Sequence, residues 1–161
     1  MPVSSTVETT GLAWGIRSSF RRYVQRVAHG TEIPDGGAGS LPDGRFYFPV
    51  EAVERFDPEA LDAQIRFAGA VRFLGHAGMI DVRLGELELR CSAGTGTVLT
   101  GARGGARELV DVQVTQAGVA DGVATLLLGT RLAADAVELF DEVYAAATPF
   151  DEIEVRVAVA S

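Results

Sequence analysis

Few side chains in this sequence are equipped for chemistry. The chain has one cysteine, two histidines and three tyrosines, and all 14 of its positive charges are arginine. Without lysine there is no Schiff base, no pyridoxal-phosphate anchor and no Walker-type phosphate loop. Cys91 has no internal disulfide partner and falls on the apolar side of its segment, where a small buried hydrophobe is the default reading. His29 ends a helical pattern, where the helix dipole favours a cation. His76 sits in Phe73-Leu-Gly-His-Ala-Gly-Met79, with glycines on both sides at a tight turn between strands. Glycines there let the backbone bend or let another group approach closely. A histidine in such a turn is ordinarily just exposed. Tyr23 lies on the apolar stripe of the first helical pattern, one turn beyond Phe20. On pattern alone it reads as a core tyrosine with its hydroxyl satisfied at the rim. Arg22 and Arg26 flank that side of the helix. They either meet acidic groups of a ligand or form a solvated face.

Enzyme signatures fail in turn. There is no H-E-x-x-H, no C-x-x-C and no G-x-S-x-G. The run from Gly94 to Gly101 is glycine-rich but does not match G-x-G-x-x-G, and it reads as a turn and a small-residue strand. The carboxylates of 135–142 and 151–154 fall at helix-surface and strand-surface positions, as a solvated acidic face does. The chain is therefore expected not to be an enzyme.

The elements that must position these groups follow from periodicity. Residues 11–28 predict a helix with Ile16, Phe20, Tyr23, Val24 and Val27 on one face, closed by Gly30. Residues 30–44 read as a loop, and 50–60 as polar and irregular. Arg45 to Phe48 is a short strand stopped by Pro49. Period-two alternation marks strands at Ile65–Phe73 (with Gly69 near the middle), Ile80–Leu84, Leu87–Cys91, Val110–Val114 and Ile153–Val159. A second helix fits 133–146, ended by Thr148-Pro149. Short half-wet strands with frequent glycine turns predict a mainly β (α+β) fold. Its expected form is an antiparallel β-sandwich or partly open barrel with a short N-terminal and a short C-terminal helix.

At 161 residues the chain is expected to be one domain spanning 1–161, with 1–9 a flexible N-terminal segment. The net charge of −8 opposes binding to nucleic acid or anionic membranes. No apolar run is long enough to span a membrane, and the first residues do not resemble a signal peptide. As written, the chain is expected in the cytoplasm.

One resemblance reaches further. The run Gly11-Leu-Ala-Trp-Gly-Ile-Arg-Ser-Ser-Phe-Arg-Arg-Tyr-Val24 resembles the opening of HtaA-type haem-binding domains of actinobacterial haem-uptake proteins. Gly39 to Phe48 is similar to that family's glycine-rich turn and Phe-containing strand. Phe67 to Gly78 is similar to its F-x-G-x-V-x-F-x-G-H-x-G segment. Leu132 to Phe140, with Tyr144 and Pro149, looks like its C-terminal helix and closing strand.

The resemblance implies a haem-binding domain serving haem uptake, carriage, storage or transfer. Carried over by position, Tyr23 matches the family's axial ligand to ferric haem b, and His76 the histidine beside it. A phenolate is a hard anionic oxygen suited to ferric iron. A histidine N–H donated to that oxygen would orient the ring and tune its basicity. Phe20 and Val27 are the expected apolar cover, Arg22 and Arg26 the expected partners of the propionates, and His29 or Met79 a candidate sixth ligand. Expected partners are haem, another haem carrier, or a second copy in a homo-oligomer. Family members are typically secreted or surface-anchored, so on this point the resemblance departs from the cytoplasmic expectation. The alternative is a small-molecule binding or assembly module on the same fold that does not take haem.

Overall fold

The structure is a computed structural model that describes residues 10–101, 105–140 and 143–159. The expected flexible segment 1–9 lies outside the described residues.

Among the described residues, thirteen strands form two antiparallel sheets. They are β1 (Gly11–Trp14), β2 (Thr31–Asp35), β3 (Gly39–Ser40), β4 (Phe46–Phe48), β5 (Val50–Asp57), β6 (Asp62–Phe67), β7 (Ala70–Gly75), β8 (Ile80–Gly85), β9 (Glu88–Ser92), β10 (Thr95–Thr100), β11 (Arg107–Ala120), β12 (Val123–Leu132) and β13 (Pro149–Ala158). The ten-stranded sheet runs β3-β4-β1-β13-β12-β11-β10-β9-β6-β5 and curls into a half-barrel. The three-stranded sheet runs β2-β7-β8. The partly open barrel is thus the form adopted. Among the described residues no helix is long and apolar enough to cross a membrane.

Alternation builds the half-barrel. On β13 the side chains of Phe150, Ile153, Val155 and Val157 are buried, while Arg156 is exposed. On β12 Ala124, Leu126, Leu128 and Leu132 face the same core. Trp14, Phe46, Phe48, Phe67, Phe73, Leu84 and Leu89 complete one continuous apolar cluster. Burying each such side chain contributes about 1.5–3 kcal/mol.

The expected continuous strand from Ile65 to Phe73 is two strands in different sheets. Gly69 breaks it at φ +94°, where a Cβ would stand 2.4 Å from the backbone nitrogen of Ala38. The chain leaves the half-barrel there as the β7–β8 hairpin. It returns at Leu87, whose carbonyl accepts the Phe67 N–H at 2.9 Å. β6 and β9 then pair directly, Ala63 opposite Cys91. The small sheet is an excursion that crosses to meet β2.

Four further expectations are corrected. Residues 11–28 are not one helix. Leu12 to Trp14 pair with β13 and β4 as β1. Ile16 takes a left-handed φ of +66°, and the α-helix, α1, is confined to Ser18–Arg22. The loop at 30–44 contains β2 and β3, and the irregular stretch at 50–60 contains β5. The C-terminal helix is absent: Ala134–Phe140 forms 3-10 turns that bury Ala136 and Phe140. Asp141 and Glu142 of that expected helix lie outside the described residues.

Candidate functional site

α1 has only five residues and would not hold in water alone. Its start is set by Asp151, far away on β13. The Asp151 carbonyl accepts the Trp14 indole N–H at 2.7 Å and the Thr130 hydroxyl at 2.9 Å. Its own N–H donates to the Ile16 carbonyl at 2.8 Å. Its carboxylate accepts the Ser18 N–H at 3.3 Å, a cap that Arg17, at the capping position, does not provide. A Cβ on Gly15 would stand 2.7 Å from that carboxylate. The Trp-Gly pair therefore has a physical reading: the indole binds Asp151 and the glycine leaves room for it.

The helix body is held from two sides. The Phe20 ring meets Phe73 and Phe140 edge-on, each at 5.2 Å. Arg21 pairs with both Glu32 carboxylate oxygens, at 2.7 and 3.0 Å, and lies over the Phe46 ring at 4.2 Å. This ties α1 to β2 and to the strand before Pro49.

Beyond Arg22 the helix widens into one π turn, Tyr23–Val27, in which the Ala28 N–H reaches back five residues to the Tyr23 carbonyl at 3.0 Å. Such turns are rare and cluster at functional sites. Phe20, Val24 and Ala28 keep the buried face. Tyr23 and Val27 do not share it: they are 42% and 55% exposed, so the expected apolar stripe is split. Tyr23 is a presented phenol, not a core ring. Phe20 is buried against Phe73 and Phe140 and supports the helix from inside.

His76 tops the β7–β8 hairpin. His76, Ala77 and Gly78 all have positive φ, at +48°, +54° and +95°. For His76 and Ala77 this is a strained backbone, a state that clusters at functional sites. The hairpin tip is fixed by the His76 N–H donating to the Ala28 carbonyl at 2.9 Å. The result is a Tyr23 Oη to His76 Nε2 distance of 2.9 Å. Which atom donates depends on the imidazole tautomer.

Arg22 and Arg26 flank Tyr23 along the chain, both exposed and, among the described residues, without a carboxylate partner; Arg22 lines a shallow pocket with Ser18, Asp43 and Asp151. His29 is exposed at the helix end and Met79, 81% exposed, follows the hairpin tip. Among the described residues no three His, Cys, Asp or Glu side chains converge as a metal site. Cys91 is buried as expected, and burial pushes its thiol pKa up. Sequence reasoning placed Asp151 on a solvated acidic face; in the structure it instead anchors Trp14, Thr130 and Ser18, 137 residues from Trp14.

Fold and site together define a β half-barrel whose surface tyrosine is hydrogen-bonded to a histidine from a second, small sheet. The chain belongs to the HtaA family, whose model matches residues 9–156. Solved structures share the fold, among them the following three. The C-terminal domain of HtaA from Corynebacterium glutamicum has a TM-score of 0.79 at 20% identity, over 93% of this chain and 96% of that one. The haem-binding protein HtaB of the same organism has a TM-score of 0.74 at 18% identity, over 92% of each chain. A domain-swapped dimer of a histidine-to-alanine variant of the HtaA C-terminal domain has a TM-score of 0.69 at 19% identity, over 91% and 94%. No curated protein sequence matches the chain.

Proposed function

We propose that this protein binds ferric haem b as cargo, with Tyr23 Oη as the axial ligand and His76 as that oxygen's hydrogen-bond donor. The carrying observation is the exposed phenol oxygen 2.9 Å from an imidazole nitrogen. Membership of the HtaA family supports the reading, as does the similarity of fold to a protein described as haem-binding.

The donor set suits the cargo. A free phenol ionises at about pH 10, so binding iron as phenolate requires the proton to leave. A cationic centre favours the deprotonated oxygen. In that state the oxygen can only accept, so His76 Nε2 must carry the proton and donate. Val27 and Met79 are exposed apolar side chains for the haem face, and Arg22 and Arg26, without a carboxylate partner among the described residues, are guanidinium groups for the propionates. On a chain with net charge −8, those arginines are the local attraction for a dianionic ligand.

The role is binding without turnover, in haem uptake, carriage, storage or transfer, with another haem carrier or a second copy as protein partner. The domain-swapped dimer of the HtaA variant, which has this fold, supports self-association. Hemin titration followed by absorption is the test. Saturation at one hemin per chain with a high-spin ferric tyrosinate spectrum is expected. Weak, non-saturating adsorption indifferent to Tyr23 and His76 would instead favour a non-haem binding or assembly module.

A further inference from the structure

The Tyr23–His76 contact joins two elements that meet at a single backbone crossing. One is the end of the π turn at Ala28 to Gly30, and the other is the top of β7 at Leu74 to His76. A Cβ added to Gly30 would stand 2.0 Å from the Leu74 carbonyl oxygen, 2.7 Å from Val24 Cγ1 and 3.0 Å from Gly75 Cα. A Cβ added to Gly75 would stand 2.8 Å from Ala28 Cβ and 3.7 Å from Gly30 Cα. Gly75 has φ −162°, an extended backbone open to any residue. The requirement there is for space, not for a torsion angle.

Two hydrogen bonds run through this crossing in series. The Ala28 N–H donates to the Tyr23 carbonyl at 3.0 Å, and the Ala28 carbonyl accepts the His76 N–H at 2.9 Å. The side-chain contact at 2.9 Å closes the circuit from His76 back to Tyr23. Strand pairing continues immediately beyond, Thr31 opposite Leu74. A side chain at either glycine must therefore push the hairpin tip off the helix end, and the imidazole moves with it.

We propose that Gly30, Gly75 and Ala28 are positioning residues, whose small size sets the distance between Tyr23 and His76. The functional consequence rests on the haem reading, but the geometry does not, and the test separates them. The imidazole 15N shifts of His76 in hemin-free protein register whether Nε2 has a hydrogen-bond partner. Gly75→Ala should shift them toward an unpartnered imidazole. With hemin bound, it should speed hemin loss by about ten- to a hundred-fold, the usual cost of losing a partner to a ligand atom. In a His76→Ala background it should add little, because both changes remove one interaction. Ala28→Gly returns the lost space, so Ala28→Gly combined with Gly75→Ala should restore the His76 shifts and slow hemin loss again. Gly96→Ala is the control for destabilisation alone. Its Cβ would stand 1.9 Å from the Arg90 carbonyl, between β9 and β10, and it should leave His76 unchanged. Should Gly75→Ala not fold, a folded double variant with wild-type His76 shifts supports the proposal, and one that stays unfolded overturns it. Wild-type His76 shifts in folded Gly75→Ala, or no recovery on adding Ala28→Gly, also overturn it. Absence of Tyr23-dependent hemin binding in the wild type would remove the haem reading alone, since the hemin-free shifts still decide the geometry.

Discussion

Tyr23 and His76 are separated by 53 residues of chain, yet their Oη and Nε2 atoms stand 2.9 Å apart. Neither residue is placed by its own sheet or helix alone. Tyr23 is turned outward by a π turn, and His76 is held at a left-handed hairpin tip that rests on Ala28. A phenol presented to solvent with an imidazole nitrogen at hydrogen-bond distance is the arrangement on which the proposed haem site rests.

Removing that donor should weaken the site without emptying it. In His76→Ala the tyrosinate spectrum of the hemin complex should persist, while hemin loss to an acceptor protein accelerates by about ten- to a hundred-fold. Stopped-flow transfer to a hemin scavenger measures this. An unchanged rate would separate His76 from the ligand's chemistry.

Arg22 and Arg26 should act through charge. Replacing Arg22 and Arg26 together with glutamine should slow hemin association at low salt, and the difference should shrink as salt screens it. Association rates at two ionic strengths decide this. A salt-independent loss would point to lost packing instead.

The support beneath the tyrosine should be costly to remove. Phe73 contacts Phe20 at 5.2 Å and Phe46 at 5.9 Å, and it is fully buried. Phe73→Ala should cost about 3–5 kcal/mol in denaturant unfolding. Asp151→Ala, which removes only the cap on Ser18, should cost about 1 kcal/mol.

Acid should weaken the fold through Glu154. Partial burial raises its pKa, but hydrogen bonds from Arg45 and Arg156 outweigh this and hold it below the ordinary value of 4.5. Its ion pairs therefore contribute fully above pH 4.5 and are lost as pH falls through the lowered value. Denaturant midpoints measured from pH 7 down to pH 3 should fall in that acid range, and Glu154→Gln should flatten the fall.

The strands legible in the sequence were those with one wet face. Val110 to Val114 and Ile153 to Val159 alternate cleanly, and both form central strands. β12 was hidden because Leu126, Leu127 and Leu128 are consecutive, although Leu126 and Leu128 are the buried pair. β5 was hidden by Glu51, Glu54 and Arg55, the charges an edge strand carries against further pairing. Helical periodicity ran through Trp14 and Ile16 because their burial is tertiary: Asp151 holds them, and no local pattern reports it. The site was divided in the same way. Spacing alone put Tyr23 in the core and His76 in solvent, and only the resemblance joined them. The crossing of Gly30 with Gly75 carried no signal beyond two glycines 45 positions apart, and its meaning appears only when both backbones are in place.

The central claim is that Tyr23 holds the iron, and Tyr23→Phe tests it most directly. The substitution keeps the ring and removes one oxygen. Hemin titration of the variant beside wild type, followed by absorption, should show saturable binding and the ferric tyrosinate band in the wild type alone. A variant that binds hemin with the same affinity and the same spectrum would contradict the account.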